Sequence, residues 1–333
     1  MEAINNIEII AQNNLEKAEL VIKNSGVLEV YRDNEDPWGM TVEGFNEYAG
    51  EFTLLSDADA NAFNGYPDET LANVRVIENG DVRLKIQAIF GYSKSFAVVT
   101  YSLPKNGNYI DIKIKILSND SSRFYKLSFD TSVDSAEFIG QTAFGTENLR
   151  TGGDEAVFQK WCAVSDGKKS LAILNKGTYG GSVDGNILNI SLLRTPVYSA
   201  HPICDRPLAD SDRNHDRIDI GEREFEYRLT ADTDNVDMQA ELFNKPCIAL
   251  SFFPSGAGEI NDTRIEVSNP RVILSRFRKN EDDVTVRFYN SSDKPEKTRF
   301  AIKGKNFEIN LGAFEVKTFS YANSNITETD MIV

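Results

Sequence analysis

Apolar residues recurring at every second position constrain this chain more than any other feature. In Val82-Arg83-Leu84-Lys85-Ile86-Gln87-Ala88-Ile89-Phe90 the pattern is almost unbroken, and Ile110, Ile112, Ile114 and Ile116 alternate with Asp111, Lys113 and Lys115. Successive side chains of a strand point to opposite faces, so each run reads as a strand with one apolar and one wet face. Ile187 to Leu192, Phe225 to Leu229 and Val284 to Tyr289 follow the same rule. The turn signals Asn79-Gly80-Asp81, Asn106-Gly107-Asn108, Asp166-Gly167 and Asp184-Gly185-Asn186 punctuate the chain. One-sided strands joined by short turns build antiparallel sheets, because parallel sheets are covered on both faces and need helical crossovers. Helical spacing is confined to Asn13–Ile22 and Asp234–Asn244. The expected class is all-β.

A boundary is expected near Phe243-Asn244-Lys245-Pro246. Residues 25–245 then form a large β-sandwich, and residues 246–333 a small one. The small unit's strands are expected at Cys247–Phe253, Arg264–Ser268, Val272–Arg278, Val284–Asn290, Lys297–Ile302 and Phe314–Tyr321. The polar tail after Tyr321 is expected to fray, and residues 1–24 form an unassigned extension.

With 51 acidic residues against 36 basic ones, the formal charge is −15. That opposes partners bound by neutralising phosphate, so nucleic acid and anionic membranes are excluded as expected partners. No apolar run approaches the ~20 residues that span a bilayer, and Met1–Leu20 lacks the basic start and apolar stretch of a signal peptide, so a cytoplasmic protein is expected. Cys162, Cys204 and Cys247 are odd in number and far apart, which reads as reduced thiols and not as a zinc site.

Asp212-Arg213-Asn214-His215-Asp216 has the alternating oxygens of a calcium loop, but Arg217 stands where the tight turn needs Gly and Arg223 where a bidentate Glu is needed. It reads as an exposed charged loop. The only histidines, His201 and His215, show no metal-ligand spacing, and the Gly152-Gly153 and Gly180-Gly181 pairs lack the lysine or helix of a phosphate cradle. Tyr198 to Gly221 is the longest stretch without a strand pattern and carries Asp205, Arg206, Asp210, Asp212, Arg213, Asp216 and Asp219. Loops of that length in compact domains carry function or are disordered.

Read in order, these segments resemble one family. Leu174-Asn175-Lys176-Gly177-Thr178-Tyr179-Gly180, Asp184-Gly185-Asn186 and Leu192-Leu193-Arg194-Thr195-Pro196-Val197-Tyr198 resemble the C-terminal region of glycoside hydrolase family 38 α-mannosidases. So do Glu35-Asp36-Pro37-Trp38-Gly39 and Gln159-Lys160-Trp161 with Ser165-Asp166 upstream. Ile218 to Leu229, Val272 to Ser275, Val286 to Asn290 and Phe314 to Phe319 continue the match downstream. The resemblance runs from about Glu35 to Tyr321, and ordered motifs are more specific than any single one. It implies a large antiparallel super-sandwich of galactose mutarotase-like fold followed by a small β-sandwich.

It also implies that the chain is a piece of a longer enzyme. The family's zinc ligands and nucleophile lie in an N-terminal catalytic domain whose motifs are absent here, so no catalytic residue and no cofactor is assigned to this chain. Zinc is expected in that other domain. Two departures mark a divergent branch: Leu117-Ser118-Asn119-Asp120-Ser121 replaces a Trp-Asn-Glu group, and Met40 replaces a histidine.

The leading functional expectation is a non-catalytic β portion that packs on the catalytic domain and rims its site for α-mannoside oligosaccharides, with homo-oligomer contacts as a further expected role. Arg194, Asp205, Arg206 and Asp219 are the rim or interdomain candidates, although the simplest role for Arg194 is an ion pair with a neighbouring strand. The alternatives are a stand-alone carbohydrate-binding β-sandwich and a mutarotase-like enzyme using His201 or His215 with a carboxylate.

Overall fold

A computed structural model describes residues 6–11, 18–23, 27–36, 44–66, 71–131, 133, 137–198, 214–248, 265–280, 283–302 and 304–330. Contacts divide the chain into two compact units, Met1–Phe138 with Asn148–Thr233, and Ile139–Glu147 with Asp234–Val333. The helix Val236–Asn244 therefore belongs to the second unit, and the division falls upstream of the Phe243–Pro246 segment.

The first unit is a sandwich of two antiparallel sheets. One has the strand order 156–157, 180–184, 187–194, 123–130, 28–32, 48–51. The other runs 161–165, 170–175, 221–230, 109–118, 95–104, 83–92, with 53–54 and 74–79 both paired to 83–92. The core between them is built from the alternate positions expected to be apolar: Ile112, Ile114 and Ile116 are buried, as are Leu28, Val30, Phe52, Tyr125, Leu127, Leu188, Ile190 and Tyr227.

On the opposite face of strand Tyr109–Ser118 the interleaved charges pair with strand Gly221–Thr230. Lys113 meets Glu224 at 2.9 Å, Lys115 meets Glu222 at 2.8 Å and Arg228 meets Asp111 at 2.6 Å. Cross-strand pairs of opposite charge add a few tenths of a kcal/mol each, about 0.2–1, and their main effect is to keep that face wet.

The second unit packs a three-stranded sheet (266–267, 296–302, 305–311) with a four-stranded one (272–280, 283–290, 316–322, 325–329). Their shared core is aromatic: Phe288 lies 4.8 Å from Phe300 and 6.4 Å from Phe319, and Phe307 meets the Tyr321 ring at 6.0 Å.

Three sequence expectations are corrected. The described part of the expected Asn13–Ile22 helix is not helical: Ala18–Lys23 is a strand paired with Asn6–Ala11, and residues 13–17 lie outside the described residues. Ala18, Val21 and Ile22 match a helical stripe equally well, but β-branched residues in a pairable hairpin favour the extended form. The tail does not fray at Tyr321, because Asn325–Thr329 pairs with Val316–Ala322 and Ile326 packs on the aromatic core. Cys247 and Ile248 are not strand, and the rest of the expected Cys247–Phe253 strand lies outside the described residues. A short helix, Asp57–Phe63, was not expected, although Ser56 caps it with its hydroxyl accepting from the Asp59 N–H.

Candidate functional site

An irregularity in the smaller sheet sets the site. Strands 123–130 and 187–194 run in regular register up to Lys126↔Ser191, then shift, so that Tyr125 faces Leu193 and Phe124 faces Arg194. The extra residue of this bulge turns Leu193 into the core and brings Arg194 to the face that Ser191 and Phe124 share. Re-aiming a side chain in this way is a common use of bulges.

Arg194 then meets the turn Asp33–Asp36. Its Nε donates to Asp33 Oδ2 at 2.6 Å, and its Nη2 donates to Asp33 Oδ1 at 3.0 Å, Asn34 Oδ1 at 3.0 Å and the Asp36 carbonyl at 2.8 Å. The guanidinium also stacks 4.7 Å from the Phe45 ring. The same turn holds a second arginine: Arg217 Nη1 donates to both oxygens of Glu35 at 2.7 and 2.9 Å, and the Val197 N–H donates to Glu35 at 2.8 Å. Burial alone would raise the Glu35 carboxyl, but hydrogen bonds from Ser122, Arg217 and Val197 outweigh it and hold the group below the ordinary carboxylate range.

Glu35 itself has φ +62°, in the left-handed region that costs a non-glycine residue about 1 kcal/mol. The turn bears that strain because its side chain closes the two stems of the long loop. The stems are also bridged directly, with the Tyr198 N–H donating to Asp216 at 2.8 Å and the Ile218 N–H to Pro196 at 3.1 Å.

Beside this clasp lies a pocket of about 620 Å³ whose lining includes Phe45, Phe124, Arg150, Glu155, Tyr179, Arg194 and Asp219. Phe45 and Phe124 meet edge to face at 4.5 Å. Lys126, with only 2% of its side chain exposed, is paired with Glu155 and donates to Ser182 Oγ at 3.1 Å. Its ammonium lies 5.0 Å from both the Tyr31 and Phe124 ring centroids. The second Glu155 oxygen accepts from Ser191 Oγ at 2.7 Å. A buried lysine is costly unless paired, and here the pair fixes a carboxylate at the pocket wall.

Of the four expected site residues, the structure brings Arg194 and Asp219 to this one pocket. The ion pair of Arg194 is with Asp33, in the turn after strand Leu28–Arg32, whereas the simplest expectation places the partner on the neighbouring strand itself. Asp219 is at φ +52° and accepts from Arg223 Nε at 3.2 Å. Asp205, Arg206 and His201 lie outside the described residues, and His215 is half-buried. Among the described residues no three His, Cys, Asp or Glu side chains gather as a metal site. No helix among the described residues is long and apolar enough to cross a membrane.

Sequence reasoning passed over Lys126, Glu155, Arg150, Glu35 and Arg217. Lys126 left a signal: it interrupts Phe124-Tyr125-Lys126-Leu127, a run otherwise apolar on both faces. Glu155 and Arg150 left none, since each is one charge among many in loop sequence.

A large antiparallel sandwich followed by a smaller one defines a two-unit all-β protein. Residues 9–207 match the family described as glycosyl hydrolases family 38 C-terminal domain, and since that is more than half of the 333 residues, the chain belongs to that family. It is 28% identical over 186 residues to human alpha-mannosidase 2C1, covering 52% of this chain and 16% of that protein. It is 28% identical over 230 residues to the Saccharomyces cerevisiae alpha-mannosidase, covering 64% of this chain and 19% of that protein.

Two solved structures from Enterococcus faecalis share the fold. A glycosyl hydrolase family 38 protein aligns with a TM-score of 0.68 at 13% identity over 90% of this chain and 40% of its own. An alpha-mannosidase aligns with a TM-score of 0.66 at 13% identity over 94% of this chain and 42% of its own. The chain thus spans under a fifth of the curated relatives and under half of the solved ones.

Proposed function

We propose that this chain is the non-catalytic β portion of an α-mannosidase-like retaining glycoside hydrolase, packing on a catalytic domain and rimming its site for α-mannoside oligosaccharides. The carrying observation is coverage. Nine-tenths of this chain aligns with a family 38 structure while spanning only 40% of it, so that protein has further chain beyond the shared fold. Rim formation is supported by the clasp: Glu35 bridges Val197 and Arg217, which flank the segment that carries Asp205 and Arg206 in sequence. A loop held on a rigid scaffold can border a binding site at low entropic cost. The thiols Cys162 and Cys247 are free, which suits a reducing compartment and supports a cytoplasmic placement.

The test is reconstitution. The purified chain should not hydrolyse an aryl α-mannoside, and adding a family 38 catalytic domain from the same genome should restore turnover. In the reconstituted enzyme, alanine at Asp205 and Arg206 should lower kcat/KM about tenfold, the scale of one lost charge-assisted hydrogen bond. Turnover by the chain alone, with a stoichiometric zinc ion, would refute the reading.

A further inference from the structure

We propose that the pocket lined by Arg150, Glu155, Tyr179 and Arg194 is a binding site for a single pyranose ring. Its volume of about 620 Å³ lies inside the range of about 300–1,000 Å³ usual for small-molecule sites. The argument rests on which polar groups face it and how they are held. A sugar presents hydroxyls that donate and accept around a ring with weakly apolar faces, so it is recognised by planar groups in fixed orientation together with an aromatic surface.

Two planar groups here are fixed before any ligand arrives. Glu155 is anchored through one oxygen by Lys126 and through the other by Ser191. A carboxylate offers about four lone-pair sites, so it still has acceptor capacity for ligand hydroxyls. Arg194 is anchored through Nε and Nη2 by the Asp33–Asp36 turn, and its Nη1 has no partner among the described residues. Neither side chain loses rotamer freedom on binding, which is where weak saccharide sites lose most affinity.

The mouth adds groups of a different kind. Arg150 is exposed and lacks an ion-pair partner among the described residues, so its guanidinium is available to a ligand. Tyr179, 55% exposed, offers a ring face and a hydroxyl at the same rim. Arg150 can donate to ring or glycosidic oxygen, Arg194 Nη1 to a second oxygen, and Glu155 can accept from hydroxyls.

Only the choice of sugar rests on the reading of the chain as part of an α-mannosidase. The full 333-residue chain is titrated with methyl α-mannoside and, separately, with glycerol, by saturation-transfer NMR and calorimetry. The expected result is saturable binding of the mannoside with a Kd on the order of 1 mM and none of glycerol. Arg150→Ala and Glu155→Gln should each weaken it by about tenfold or more. Glu155→Gln strips Lys126 of its partner and can unfold the sheet, so Arg150→Ala, on the surface, is the deciding variant once its thermal transition is shown to match the parent.

Unsaturable binding, equal binding of glycerol, or unchanged affinity in Arg150→Ala would overturn the site. The reading as a mannosidase β portion is scored by a separate quantity, turnover on reconstitution. Failed titration with restored turnover therefore removes the pocket alone, and successful titration without restored turnover keeps the pocket and removes that reading.

Discussion

Arg194 and Asp33 stand 161 positions apart and meet through two parallel bonds, Nε to Oδ2 at 2.6 Å and Nη2 to Oδ1 at 3.0 Å, with no part of the Asp33 side chain exposed. A forked guanidinium on a fully buried carboxylate is strongly directional, and removal of one partner leaves the other charged and desolvated. Arg194→Ala should destabilise the first unit by about 3–5 kcal/mol. Arg194→Lys, which keeps the charge and loses the fork, should recover only part of that. Trp161 is buried in this unit, so urea unfolding followed by intrinsic fluorescence reads the effect directly. A Lys variant as stable as the parent would show that charge alone, and not the fork, holds the turn.

Glu35 gives the clasp a pH signature. Its folded carboxyl is held below the ordinary value near 4.3, so its contribution is complete at neutral pH and is lost as pH falls through that depressed value. Glu35→Gln should cost about 1–3 kcal/mol at pH 7, where Arg217 loses its counter-charge. The gap between parent and variant should begin to narrow as pH falls past the ordinary value near 4.3 and close only below the depressed folded value, where the parent carboxyl is itself protonated. Denaturant midpoints at several pH values would show this convergence, and a gap that stays constant into acid would contradict the assigned role.

How far the sequence reveals these features depends on whether the signal is local. The run Ile110 to Ile116 shows its inward face by simple alternation, and the charges between predict a wet outer face that pairs with Glu222, Glu224 and Arg228. The clasp is different. Asp33, Glu35, Arg194 and Arg217 come from separated segments, and the bulge opposite Tyr125 and Lys126, which no composition rule announces, decides where Arg194 points. Arg194 and Asp219 could be picked out because they lie in ordered motifs. Glu155 could not, since it matters only through Lys126 and Ser191, partners 29 and 36 positions away. The strand at Asn325–Thr329 shows the same limit, because a polar segment with one Ile becomes a strand only when a neighbour offers it an edge.

Two glycines in this unit separate crowding from backbone freedom. A Cβ at Gly181 would lie 2.6 Å from the Asn189 carbonyl and 3.1 Å from the Phe158 ring, backbone and core atoms that cannot easily give way. Gly181→Ala should therefore cost about 1–3 kcal/mol, as overpacking does. Gly152 has φ +84° with nothing within 4 Å of its would-be Cβ, so Gly152→Ala should cost only about 1–2 kcal/mol of left-handed backbone strain. The distinguishing measurement is a second change. Trimming Phe158 to Leu should restore part of the Gly181→Ala loss and none of the Gly152→Ala loss. Equal rescue would mean that crowding is not the cause.

The Lys126–Glu155 pair asks whether a buried charge here is kept for stability or for placement. Lys126→Met alone leaves the partly buried Glu155 carboxylate without its counter-ion, and the expected loss is about 2–4 kcal/mol. The double change Lys126→Met with Glu155→Leu removes both desolvated charges, and apolar replacement of a buried pair is often neutral or stabilising. The double variant should thus be more stable than Lys126→Met, with a coupling energy of about 1–3 kcal/mol in the completed cycle. If it matches or exceeds the parent in urea, the ion pair adds nothing net to folding, and its effect is to hold Glu155 in one orientation at the pocket wall. A double variant that falls further than Lys126→Met would instead show that the pair is a net source of stability.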